Sequence, residues 1–284
     1  MLLRELVEHA AKRFEEAGID SAIVDAELLA GHVIGLTRGG IQSEMIRGAE
    51  IDDANAEILT ELYGRRLSRE PLQHITGRAY FRNLELIVGK GVFVPRPETE
   101  FVAQLAIDAL RSIAAETPLA VDLGTGSGAI ALAMATEVTN SKIYAVEKSS
   151  AAMAFTSQNF EKYGSANTTL IQGDLADAFV ELDGRVSVVA SNPPYIPSAA
   201  VPRDIEVKLH DPELALYGGE DGMQVMHLVS ATAKRLLHAG GSLVVEHADS
   251  QATQVSQLLL ADGWRQVRSH KDLTGRDRAV TAIK

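Results

Sequence analysis

Apolar positions in residues 1–70 recur at helical spacing and give no convincing strand. Leu3, Leu6, Val7, Ala10 and Phe14 form one stripe, which Gly18 ends. A second helix, capped at Asp20 or Ser21, carries Ala26, Leu29 and Val33 and stops at Gly35. A third, capped by Asp52 or Asp53, carries Ile58, Leu59, Leu62 and Leu67. The pattern predicts a small bundle of three amphipathic helices whose expected role is to dock the substrate or cover the active site. From Pro71 the texture changes. Tyr80 to Val88 alternates, which predicts a β-hairpin turning at Arg82-Asn83, and the turn Gly89-Lys90-Gly91 follows. Residues 71–97 are expected to link two domains. Pro95 and Pro97 then enforce an extended approach to a helix with Glu98 and Glu100 in its first turn.

Beyond Leu119 the period switches repeatedly between two and 3.6. Strands are predicted at Leu119 to Leu123, Lys142 to Glu147, Thr168 to Gln172, Val186 to Ala190, Ser242 to Glu246, Trp264 to Val267 and Ala279 to Ala282, with helices such as Gly128 to Val138 and Met223 to His238 between most of them. Such alternation means an α/β fold, a doubly wound, mostly parallel seven-stranded sheet over residues 98–284, joined to the N-terminal helical domain. The last two strands follow one another without a helix, so an antiparallel edge is expected.

Composition narrows the setting. The hydrophobic fraction is 46% and the charged fraction 23%, as in ordinary globular proteins. No apolar run reaches the ~18 residues of a membrane span, and the N-terminus, Met1-Leu2-Leu3-Arg4-Glu5, lacks a signal-peptide core. The chain has no Cys, which fits a cytoplasmic protein. A net charge of -11 argues against a broad phosphate-binding surface, so no nucleic-acid or membrane partner is expected. The eight His are scattered, and no metal site is expected. The chain is expected to be monomeric.

The chemistry begins at Ser191-Asn192-Pro193-Pro194-Tyr195-Ile196, directly after a buried strand, at the end where open α/β sheets bind ligands. Consecutive prolines stiffen the loop and remove two N–H donors. The Asn192 side-chain oxygen and the Pro193 carbonyl can accept both N–H bonds of a planar NH2 group while Tyr195 stacks on its plane. Held this way, the nitrogen keeps one face free for an electrophile.

A second constellation, Asp122-Leu123-Gly124-Thr125-Gly126-Ser127-Gly128, joins the first strand of the sheet to a helix. Its glycines let backbone approach a ligand, and Glu147, ending the next strand, could accept bonds from ribose hydroxyls. Alone, this fits an adenine dinucleotide or S-adenosylmethionine equally, since Gly124, Gly126 and Ala129 also satisfy the dinucleotide pattern. Two acids separate the choices. Asp122 lies close to the loop, where a methionine ammonium would sit, and Asp174 follows the third strand, positioned to accept from an adenine amino group. An acidic pocket repels pyrophosphate and suits the cationic S-adenosylmethionine. A methyl-donor site and an NH2-orienting site on adjacent strand ends predict in-line methyl transfer to nitrogen, driven by proximity and electrostatics.

At these residues the chain resembles the class I methyltransferases, and more narrowly the release-factor glutamine N5-methyltransferase family, PrmC/HemK. The resemblance covers nearly the whole length. It rests on the helical N-terminal domain, Phe93 to Glu100 with its Pro-Arg-Pro-Glu-Thr-Glu, Asp122 to Gly128, Asn192 to Tyr195, Glu246-His247, and Asp272 to Arg278. The resemblance implies that Gly124 to Gly128, Glu147, Asp174 and Leu175 hold S-adenosylmethionine, leaving S-adenosylhomocysteine as product. It implies further that Asn192, Pro193, Pro194 and Tyr195 hold the glutamine of the Gly-Gly-Gln motif of class-1 peptide chain release factors, which would be the protein substrates. Glu147 stands where Asp is more usual, Leu175 where an aromatic residue is common, and Asp211-Pro212-Glu213 where a Glu-Pro-Arg type sequence is frequent. The competing reading is an amino-methyltransferase acting on adenine or guanine in DNA or RNA, which would use the same chemistry on a flipped base. The acidic charge and the lack of a dense basic stripe count against it. Arg65, Arg66 and Arg69 cluster, but Glu61 and Glu70 flank them, as on a solvated helix face.

Overall fold

The structure, a computed structural model, describes residues 1–164, 166–202 and 204–284. The chain divides into two compact units, Met1–Gly77 with the short helix Ile205–His210, and Arg78–Pro202 with Asp211–Lys284.

The first unit contains α1 (Leu3–Glu16), α2 (Ala22–Ile34), α3 (Arg38–Arg47), α4 (Asp53–Leu67) and α5 (Leu72–Thr76). The three predicted helices are present, with Asp52 accepting from Asn55 N at 2.9 Å as the cap of α4. α3 is additional. Its pattern is too sparse to read, since only Ile41 and Met45 are buried, yet Thr37 caps it through Gly40 N and Gly48 stops it in the left-handed region. The core centres on Phe14, set edge-on against Tyr63 with ring centroids 5.6 Å apart. Burying one such side chain contributes about 1.5–3 kcal/mol. Tyr63 donates to Ala26 O at 3.0 Å, which satisfies its hydroxyl inside the core. Of the arginine cluster, Arg66 is not solvated but 3% exposed, paired with Asp25 at 2.7 Å and with Glu206 at 2.8 Å.

The second unit opens with the predicted hairpin, β1 (Arg78–Phe81) and β2 (Leu84–Ile87). The hairpin belongs to this unit: Arg82 at its turn ion-pairs with Glu137, and Asn159 bonds both the N–H and the carbonyl of Ile87. The chain continues through α6 (Thr99–Arg111), β3 (Leu119–Leu123), α7 (Ala129–Glu137), β4 (Lys142–Glu147), α8 (Ser150–Tyr163), β5 (Thr168–Gln172) and β6 (Val186–Ser191). After α9 (Ile205–His210) come α10 (Glu213–Leu216), α11 (Gln224–Leu236), β7 (Leu237–Glu246), α12 (Ala252–Ala261), β8 (Arg265–Lys271) and β9 (Asp277–Ile283).

The seven-stranded sheet has the order β5-β4-β3-β6-β7-β9-β8, with β9 antiparallel to both of its neighbours. β6 is buried at every position, which is why it reads as a continuous apolar run rather than an alternating one. One layer of core lies under α6, α7 and α8 and the other under α11 and α12. The chain winds outward from β3 to β5 and then returns to β6, so the strand order reverses between β3 and β6 and opens a crevice there. β7 starts earlier than predicted: Leu237, which the sequence assigns to a helix, pairs with Val186. Among the described residues no helix is long and apolar enough to cross a membrane.

Candidate active site

Strand register brings the two predicted constellations together. Asp122 on β3 lies opposite Ala190 on β6, so Gly124 and Asn192, each two residues farther on, leave the sheet side by side at neighbouring strand ends. Adjacent strands are about 4.8 Å apart. Ser191 donates its hydroxyl proton to Leu123 O at 2.6 Å, tying the two strand ends together.

The Gly loop is built around carboxylates. Asp122 Oδ2 accepts from Thr125 Oγ1 at 2.6 Å and from Ala131 N at 3.1 Å, so it holds the loop to the start of α7. Asp122 Oδ1 is buried without a hydrogen-bond partner. Burial pushes this carboxyl up to about 7 against the pull of its two donors, and nearby Glu147 adds to the rise. Glu147, predicted to meet ribose, spends one lone pair of Oε2 on Gly126 N (2.8 Å) and one of Oε1 on Ser149 N (2.7 Å). A carboxylate has about four acceptor positions, which leaves two for a ligand. Gly124 and Gly126 have φ of 74° and 56° with open space where a Cβ would stand, so their need for glycine is conformational and their outer face is clear. Ser127 is buried and its carbonyl accepts from Asn159 Nδ2, and Gly128 precedes α7 as its cap.

Asp174 sits farther out. Its carboxylate caps Ala176 N at 3.0 Å and pairs with Lys148 at 2.9 Å, and those two donors hold it below the usual carboxylate range. Leu175 is half-buried against the core under α11.

The acceptor side is a supported loop. Asn192 Nδ2 donates to Thr99 Oγ1 at 3.3 Å, so the amide is oriented with its carbonyl oxygen directed elsewhere. Tyr195 is half-buried, and its hydroxyl faces Glu246, with burial and that charge raising the phenol above its ordinary value. Its carbonyl accepts from Gln251 Nε2 at 3.0 Å. Gly218 and Gly222, in a stretch the sequence leaves unassigned, back this loop. A Cβ on Gly218 would stand 2.4 Å from Pro194 O and one on Gly222 2.3 Å from Tyr195 O, so glycine alone permits these close approaches. Arg96 of the Pro-Arg-Pro-Glu-Thr-Glu stretch pairs with buried Asp211 at 2.6 Å. Sequence reasoning misses Thr99 and the Gly218–Gly222 turn. The run Gly218-Gly219-Glu220-Asp221-Gly222 is the signal available for the turn. Among the described residues no group of three His, Asp or Glu side chains could hold a metal ion.

Comparison with known proteins identifies the family. Residues 5–77 match the PrmC N-terminal domain family and residues 83–210 the methyltransferase small domain family. The chain is 48% identical to a Release factor glutamine methyltransferase of Streptomyces coelicolor, covering 100% of this chain and 98% of that protein. It is 35% identical to a 4-amino-L-phenylalanine/4-methylamino-L-phenylalanine methyltransferase of Streptomyces pristinaespiralis, covering 99% and 95%. A solved methyltransferase structure from Pyrococcus furiosus shares the fold, with a TM-score of 0.52 and 19% identity over 79% of this chain and 95% of that one. The two matched domains in this order, and a full-length relative at this identity, show that the chain belongs to the release factor glutamine methyltransferase family.

Proposed function

We propose that this protein methylates the side-chain amide nitrogen of the glutamine in the Gly-Gly-Gln motif of class-1 peptide chain release factors, with S-adenosylmethionine as methyl donor. The observation that carries the reading is Asn192. Its NH2 is engaged by Thr99, which leaves its carbonyl oxygen to accept an N–H beside the Gly loop.

The residues present fit the donor. A buried carboxylate oxygen without a partner, on an acid held near 7, calls for a cation or a proton donor, and S-adenosylmethionine carries both an ammonium and a sulfonium. Asp122 and the Gly124 to Gly128 loop would hold its methionine end, Glu147 its ribose, and Asp174 with Leu175 the adenine side. When bound, it supplies an electrophilic methyl group. The chain's own residues do the rest. Asn192 Oδ1 and the Pro193 carbonyl accept the two amide N–H bonds and fix the plane of the acceptor. The prolines keep the loop rigid, and the Gly218–Gly222 turn and Gln251 hold its backbone in place. An amide nitrogen is a weak nucleophile, so the rate comes from holding it in line and from the polar acceptors that stabilise the charge it gains. The N-terminal unit, matched to the PrmC N-terminal domain, is assigned to docking the release factor.

The test is transfer of labelled methyl from S-adenosylmethionine to purified release factor. A release factor with the Gly-Gly-Gln glutamine changed to alanine, a DNA and RNA panel, and 4-amino-L-phenylalanine run alongside. The amino acid is included because a relative at 35% identity is named for it. Label on the wild-type factor that vanishes in the alanine control is the expected result, and label on another acceptor alone refutes the assignment.

A further inference from the structure

Glu246 has no part in the reaction as described above, yet the fold places it beside Asn192. Ser191 on β6 lies opposite Val245 on β7, so the next residues, Asn192 and Glu246, leave neighbouring parallel strands together. Glu246 is 1% exposed, and its Oε2 has no hydrogen-bond partner. The hydroxyls of Thr99 and Tyr195 face its carboxylate and favour its charged form. Thr99 is itself buried, and its Oγ1 accepts from Asn192 Nδ2.

Counting protons along this chain gives it a direction. A threonine hydroxyl has one proton to donate and an ionised carboxylate can only accept. We propose that Glu246 is a positioning residue of the acceptor site: by accepting the hydrogen bond of the Thr99 hydroxyl it leaves the Thr99 oxygen to accept from Asn192, which locks the Asn192 amide with its carbonyl oxygen toward the substrate nitrogen. The inference rests on the reading of Asn192 given above and extends it. The two flip states of an asparagine amide have nearly the same shape, so the hydrogen bonds behind it decide which end faces the substrate. Protonated Glu246 would donate instead, turning the Thr99 proton toward Asn192. The amide would then present its NH2 to a substrate NH2, and the acceptor would not be held.

The charges around Glu246 place this switch in an accessible range. Burial is the largest influence and raises the carboxyl to about 7. Thr99 from α6 and Arg278 from β9 favour the charged form, as does Tyr195 after β6, while Glu98 before α6 opposes it. Arg278 is in turn held by Asp272 at 3.2 Å, and the charge of Arg96 favours ionised Tyr195.

The experiment uses the full chain with saturating S-adenosylmethionine, so that titration of Asp122 in the free enzyme drops out of the profile. Wild type, Glu246→Gln, Thr99→Val, Thr99→Ser and Asn192→Ala are compared for kcat and KM toward release factor between about pH 5.5 and 8.5, a range around the ordinary His value. Wild-type kcat is expected to fall on the acid side with an apparent pKa of about 7. Glu246→Gln and Thr99→Val lose on the order of tenfold or more in kcat, with KM and cofactor affinity within a few fold, and lose the acid limb. Thr99→Ser, which keeps the hydroxyl, returns most of the rate lost in Thr99→Val. In ¹⁵N NMR the side-chain NH2 of Asn192, assigned by its loss in Asn192→Ala, shifts over the same pH range in wild type and stays fixed in Glu246→Gln. Wild-type kcat and pH profile in both Glu246→Gln and Thr99→Val, beside an inactive Asn192→Ala, overturn the proposal and leave the reading of Asn192 standing. An active Asn192→Ala removes that reading and the proposal with it. Should Glu246→Gln fail to fold, the Thr99 pair and the wild-type NMR titration decide the matter in the same way.

Discussion

Replacing Asp122 by Asn should make the cofactor-free protein gain stability on wild type as pH rises while making it a worse enzyme, and the size of that gain follows from the burial of the carboxylate. Asp122 is 1% exposed, and its carboxyl rises from 3.8 to about 7. At about 1.4 kcal/mol per pKa unit, the folded state loses about 4 kcal/mol by holding this group ionised. The sign follows from proton counting. Between pH 3.8 and about 7 the folded chain binds the proton and the unfolded chain does not. Stability from this group is therefore present in full below the lower value and is lost as pH rises through the upper one. The amide of Asp122→Asn cannot ionise, so urea denaturation should show the variant gaining on wild type as pH rises. The difference should be flat below about pH 4 and larger by about 4 kcal/mol above about pH 7. Glu246, also raised to about 7, titrates alike in both proteins and cancels in the difference. The bonds to Thr125 and Ala131 change by an amount that does not depend on pH. Saturating S-adenosylmethionine should narrow the gap, because a bound cation favours the ionised aspartate. Stability curves that stay parallel across the whole range would show that Asp122 is not a buried ionisable group in want of a cation.

Four further outcomes are expected. Asn192→Ala should nearly abolish methyl transfer while cofactor affinity, read by calorimetry, stays within a few fold. Glu147→Ala removes the acceptor for Gly126 N and Ser149 N together with the proposed ribose contact, and should weaken cofactor binding by on the order of 10–100-fold before release-factor affinity changes; the reverse order in calorimetry would count against it. Gly222→Ala forces a Cβ to within 2.3 Å of Tyr195 O at a φ of 77°, and should cost about 1–3 kcal/mol in stability and lower kcat more than cofactor affinity, a pattern thermal melts and steady-state kinetics resolve. Arg66→Ala leaves Asp25 buried without its partner and should destabilise the N-terminal unit by about 3–5 kcal/mol, seen as an earlier urea transition.

Local pattern carries the parts of this fold that depend on local pattern. The strands of the sheet are legible because apolar runs and alternations are short and bounded by turns, and β3, β4 and β5 fall at the predicted residues. α3 is not legible: a helix that starts Arg38-Gly39-Gly40 and buries two side chains carries little periodic signal, and its existence is decided by the cap at Thr37 and by packing. Leu237 reads as helix because the apolar stripe of α11 runs straight into it, and pairing with Val186 wins. In the site, the Gly loop and Asn192 to Tyr195 can be found because each is a contiguous motif. Glu246, Thr99 and Asn192 come from three distant places in the chain, and only the strand register and the Asn192–Thr99 hydrogen bond show them to be neighbours. The reach of the Tyr195 hydroxyl toward Glu246 is likewise a matter of tertiary burial.

The helix α9 belongs to a different unit from the residues on either side of it in the sequence. It lies in the chain between β6 and Asp211, yet it is part of the N-terminal unit, where its Glu206 pairs with both Arg66 and Arg69. That unit is therefore not a bead that ends at Gly77. A ribosome making this protein releases α1 to α5 long before it reaches residue 206, so the nascent bundle can close its apolar core while Arg66 and Arg69 still lack their third partner. A chimera joined at residue 77 would inherit arginines from one parent and the glutamate from the other. Grafting this unit between relatives calls for moving two separate stretches of sequence, and the second of them interrupts the loop that follows Asn192 to Tyr195.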